Sequence, residues 1–119
     1  MSAPQQMPSD RPELHVLDVP DLGRYEARLG EERELAGLID YRLATDFIVL
    51  THTEVLQGFE GQGIGSRLVR AALGDLRERK IAVIPRCPFI VAWLQKHPEQ
   101  HDVLFRPLEA PEPDGPSTA

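Results

Sequence analysis

Four glycines fall within eight positions of this 119-residue chain, at Gly58, Gly61, Gly63 and Gly65. They separate an apolar, strand-like run, Phe47 to Val55, from an amphipathic, helix-like run, Gln62 to Arg79. Glycine carries no Cβ, so the backbone can take unusual dihedrals there and let a ligand approach bare N–H groups. The first turn of the following helix adds unpaired donors and the positive end of its dipole. Strand, glycine loop and helix start, in that order, make a site for phosphate. A plain turn needs one glycine; four carry an entropic cost that turn geometry alone does not require.

Three side chains outside the loop could do chemistry. Histidine is the side-chain type suited to proton transfer near neutral pH, so His52 could serve as a base, or it could be a half-buried core histidine. Strict alternation puts it on the face of Ile48, Leu50 and Glu54. Glu54 could hold His52 or an amine, or stand solvated at the strand end. Cys87 lies between Arg86 and Pro88 at the expected start of a second helix, where a helix N-terminus and a cation both favour thiolate. Its bland alternative is a small buried cysteine. The scattered histidines and the single cysteine lack metal-ligand spacing, so no metal is expected.

Two familiar phosphate loops fail on these residues. A P-loop ends in Gly-Lys-Ser/Thr, whereas Gly65 is followed by Ser66 and Arg67. The dinucleotide fingerprint needs a third glycine where Ser66 stands, and an acid after the next strand, where Pro85 and Arg86 stand. Glu60-Gly61-Gln62-Gly63-Ile64-Gly65 instead resembles the acyl-coenzyme A loop of the GNAT superfamily of N-acetyltransferases. That pattern is Arg or Gln, two residues, Gly, one residue, Gly or Ala. The departure is Glu60, whose carboxylate repels a pyrophosphate if it turns inward; the backbone donors are expected to be untouched.

These residues need elements to position them. Leu14 to Val19, Arg24 to Leu29, Glu34 to Leu43 and Phe47 to Val55 read as strands of an antiparallel meander, with Gly37 marking a bulge and the last strand central. Ile64, Leu68, Val69, Ala72, Leu73 and Leu76 recur at helical spacing. Ile81 to Ile84 reads as a short strand, and Pro88 opens a helix running to about Lys96. The expected fold class is α+β, a mixed, mainly antiparallel sheet with helices packed on it.

Length allows one domain. Residues 1–12 and 107–119 are polar, proline-rich and expected to be disordered, leaving a core at 13–106. The net charge of −6 argues against nucleic acid and would suit a cationic amine. No apolar run of membrane-spanning length and no signal-peptide pattern occurs, so the expectation is a cytoplasmic protein without a membrane partner.

His52-Thr53-Glu54-Val55, the glycine loop, Ile84-Pro85-Arg86-Cys87-Pro88-Phe89-Ile90 and Lys96-His97-Pro98-Glu99 together resemble the short single-domain branch of GNAT-like enzymes, the YjdJ-type N-acetyltransferase domain. The match runs from about Arg24 to Glu99. Leu56 departs from it, standing where that branch usually has proline. The resemblance implies acetyl-coenzyme A as co-substrate and a primary amine as acceptor. It puts the pantetheine arm along the strand at Thr53 and Val55, and the pyrophosphate on the amides of Glu60, Gly61, Gln62, Gly63, Ile64, Gly65 and Ser66. It implies His52 and Cys87 near the thioester. Either direct attack with His52 as base or an acyl-Cys87 relay is open, direct attack being preferred. The alternative function is a non-catalytic coenzyme A-binding or regulatory module.

Overall fold

Turn residues divide the first half of the chain into four strands: β1 (Leu14–Val19), β2 (Arg24–Leu29), β3 (Glu34–Leu43) and β4 (Phe47–Val55). Each pairs antiparallel with the next. The structure, a computed structural model, describes residues 13–108; most of both expected tails lies outside the described residues. Within the described part, Leu108 packs against the core.

A fifth strand, β5 (Ala82–Pro85), lies parallel to β4 and completes the order β1-β2-β3-β4-β5. Parallel neighbours need a crossover, and α1 (Ile64–Glu78) supplies it. Its buried stripe is Ile64, Leu68, Val69, Ala72, Leu73 and Leu76, the predicted set. Each large apolar side chain so buried contributes ~1.5–3 kcal/mol relative to exposure. Next comes α2 (Pro88–Gln95), with proline in its first turn, where a missing N–H costs nothing. A 3-10 segment, Pro98–Val103, then brings the chain back to the outer side of β5, where the Phe105 N–H donates to the Val83 carbonyl at 2.8 Å.

Two bulges interrupt the sheet. Ala27 pairs with Gly37 but Arg28 with Leu35, so the extra residue is Ala36, one place from the expected Gly37. The second bulge changes the functional reading. Asp40 pairs with His52 and Tyr41 with Leu50, leaving Thr51 as an extra residue in β4. One inserted residue inverts the facing of everything after it. Thr53 therefore pairs with the buried Ile39 on the α1 face of the sheet. His52 and Glu54 turn to the opposite face, with side chains 57% and 51% exposed. The expectation that His52 shares a face with Ile48 and Leu50 is corrected: alternation fails at Thr51.

On that opposite face Glu26 is only 3% exposed. Burial raises its pKa, but Arg24 and Arg28, both within 3.0 Å, lower it more, and it stays below the usual carboxylate range. A polar cluster on the α1 face ties the end of that helix to the sheet. The Tyr25 hydroxyl donates to Asp75 and the Tyr41 hydroxyl to Asp18, each at 2.6 Å. Arg79 Nη1 bridges Asp18 and Asp75 at 2.9 and 2.8 Å.

Candidate functional site

β4 and β5 pair over only four residues, from Phe47 opposite Ala82 to Leu50 opposite Pro85. The Arg86 N–H still reaches the Leu50 carbonyl at 2.8 Å. Beyond that the chain turns into α2, while β4 runs on to Val55. The two parallel strands thus open a gap beside Thr51 to Val55, and its far end leads into the glycine loop.

Cys87 lies at the apex of this gap as the residue preceding α2, and it is only 5% exposed. Its Sγ is 3.4 Å from Thr53 Oγ1. Burial raises the thiol pKa. The Thr53 hydroxyl and the N–H groups of Ile90, Phe89 and Thr53 lower it by more, leaving it below an ordinary thiol. The Leu56 N–H bonds back to Ala36 of β3, so alternation turns the Thr53 N–H away from β3 and toward the gap. His52 Nε2 lies 3.5 Å from Glu54 Oε1 on the opposite face of the sheet. His52 and Cys87 therefore flank the gap from opposite faces.

The loop combines three left-handed glycines, Gly58, Gly61 and Gly63, with φ of 95°, 81° and 71°. That conformation costs an L-residue roughly 1–2 kcal/mol. Gly63 is the N-cap of α1, and no side chain caps the helix. The amides of its first turn are open to a ligand, although the Ile64 side chain is buried in the core. Gln62 is exposed beside them. Glu60 acts otherwise than expected. Its carboxylate accepts the Gly58 N–H at 2.9 Å, so one loop donor is already taken.

Gly65 serves packing. A Cβ there would stand 2.9 Å from Phe89 Cζ, and 3.6 Å from Val55 Cγ2. Ser66 does not cap its helix; its hydroxyl accepts the Trp93 Nε1–H at 2.8 Å. Trp93 in turn stacks on His97 at 4.1 Å, with Arg70 5.3 Å from its ring centre. Sequence reasoning missed Phe89 and Trp93 as the residues that lock α2 to the loop's helix. The signal was there for Trp93, since a buried indole N–H needs an acceptor.

The sequence matches the profile of one protein family, described as GCN5-related N-acetyl-transferase, over residues 24–103. Among solved structures it is similar to the NMR solution structure of a GCN5-like protein from Staphylococcus aureus. That similarity has 24% identity and a TM-score of 0.57, and covers 82% of this chain and 91% of the other. It bears out the predicted mixed, mainly antiparallel fold. No curated protein sequence matches the chain.

Proposed function

Because the chain belongs to the GCN5-related N-acetyltransferase family, we propose that it transfers an acetyl group from acetyl-coenzyme A to a primary amine, as a member of the short YjdJ-type branch. The observation that carries this reading is the gap beside Thr51 to Val55, continuous with an uncapped helix start. The pyrophosphate would rest on the amides from Gly61 to Ser66, and the pantetheine arm would take the β4 edge that β5 leaves unpaired. The thioester would then reach the Thr53 N–H, which is placed to stabilise charge developing on the carbonyl oxygen.

In this proposal His52 takes the proton of the incoming ammonium, with Glu54 orienting its ring from the same face. The amine nitrogen attacks the thioester carbon, the C–N bond forms, the C–S bond breaks, and coenzyme A leaves as a thiol. Cys87 forms the wall of the acetyl pocket from the other face. A relay through Cys87 draws support from its lowered thiol pKa, but its sulfur is held by Thr53 and nearly inaccessible.

Acetyl-coenzyme A should raise the melting temperature, as any ligand specific to the folded state does. His52→Ala should lower turnover by about 10²–10⁴, the usual range for a lost general base, while Cys87→Ala keeps most of it. An acetyl-Cys87 adduct that forms and decays at the turnover rate would replace direct attack by the relay. The Gly58–Glu60 contact favours the other reading, a binding module, because it occupies a loop donor. Stabilisation by acetyl-coenzyme A with no thioester consumed across a panel of amines would select that reading.

A further inference from the structure

On the outer edge of β5, one residue from Cys87, lies a cleft of about 190 Å³ that the acetyl-coenzyme A reading does not use. Its apolar walls include Val83, Ile84, Val91 and Leu108, and its charged residues are Arg86 and Arg106. Both arginines stand on anchored chain. The Arg86 N–H is bonded to Leu50, and the Arg106 guanidinium lies 5.6 Å from the centre of the Phe105 ring, which packs on Phe47 at 4.9 Å. Arg24, Arg28, Arg77 and Arg79 are each paired with a carboxylate. Among the described residues Arg86 and Arg106 have no such partner; neither have Arg33, Arg42, Arg67 and Arg70, and what sets Arg86 and Arg106 apart is that both line one cleft.

Two arginines lining one cleft with apolar walls suit a carboxylate, which a guanidinium binds through paired N–H donors. The cleft has the volume that roughly six water molecules fill in the liquid, so it takes a small molecule. Arg86 precedes Cys87 in the chain, about 3.8 Å away between Cα atoms, so an acceptor rounding the end of β5 could span the cleft and the gap. We propose that this cleft holds the acid end of the acceptor, so that the substrate class is a short amino acid whose amine reaches back to the gap between β4 and β5. The proposal rests on the acetyltransfer reading. It also departs from what net charge suggests, because the local field at the cleft is positive while the molecule is acidic.

The test compares 4-aminobutyrate and 6-aminohexanoate with butylamine and hexylamine as acceptors for the full-length protein. The amino acids should have a kcat/KM about tenfold higher. Arg86→Ala and Arg106→Ala should each erase most of that preference through KM, while the separately measured affinity for acetyl-coenzyme A does not change. Equal use of the plain amines, or a preference that survives both substitutions together, would overturn the proposal. So would a preference seen only when Glu109, Glu112 and Asp114 are neutralised, since the cleft would then belong to the chain's own acidic segment. If no amine is acetylated, the acetyltransfer reading fails and the cleft is judged by binding. 4-Aminobutyrate should then shift the side-chain N–H resonances of Arg86 and Arg106 where butylamine does not; no shift would overturn it.

Discussion

The Thr53 side chain and amide both act on the Cys87 sulfur, and this sets what the thiol can do. The ultraviolet thiolate absorbance of Cys87, followed against pH with Cys87→Ala as the blank, should have its midpoint below the ~8.5 of a free cysteine. Thr53→Val removes the hydroxyl and should move that midpoint up. A wild-type midpoint at or above the free value would contradict the assigned contacts. Glu60 permits a second test. Glu60→Arg releases the Gly58 N–H and exchanges a repulsive charge for an attractive one near the expected pyrophosphate. Acetyl-coenzyme A should bind roughly three- to tenfold more tightly, and less so at high salt. Calorimetric titration at two ionic strengths measures both effects. The resemblance marked the departure at Glu60, but only the fold showed that its carboxylate folds back onto its own loop.

At the scale of elements, the four strands of the meander match their predicted bounds, because alternation and turn chemistry are written locally in the chain. The helix α1 begins two residues later than read, since Gly63 is left-handed and caps it. What the sequence concealed was the phase of β4. Its run from Phe47 to Val55 is β-branched and apolar enough to suit either face, so the extra residue at Thr51 leaves no mark in side-chain type. The face assigned to His52 was wrong for that reason alone. The role of Gly65 was equally hidden, because Phe89 lies far along the chain. Gly65→Val should destabilise the fold by about 1–3 kcal/mol through overpacking, and Phe89→Ala should relieve much of that loss. Gly63→Val should cost about 1–2 kcal/mol for its left-handed backbone, with no relief from Phe89→Ala. Urea unfolding of the three single variants and the two doubles with Phe89→Ala measures the difference.

At the scale of the whole molecule, the Tyr25, Tyr41, Asp18, Asp75 and Arg79 cluster fastens α1 to the sheet and gives stability a dependence on pH at both ends. Burial raises the pKa of Asp75, but its bonds from Tyr25 and Arg79 lower it by more. Its contribution is present above the unfolded value near 4 and is lost as pH falls through the depressed folded value. Burial and Asp18 push Tyr41 up to about 12, and burial and Asp75 push Tyr25 higher still. Their contribution is full below about pH 10 and is lost as pH rises above it. Melting temperature should therefore fall at both extremes. Tyr41→Phe should flatten the alkaline limb and leave the acid limb in place. The helices α1 and α2 gather on one face of the sheet, and among the described residues no helix covers the face that carries His52 and Glu54. Coenzyme A and the amine would thus reach the gap from opposite sides, and neither need leave before the other arrives. Initial rates at varied concentrations of both substrates should give double-reciprocal lines that intersect, the mark of a ternary complex. Parallel lines would mean that the acetyl group waits on the protein between two visits.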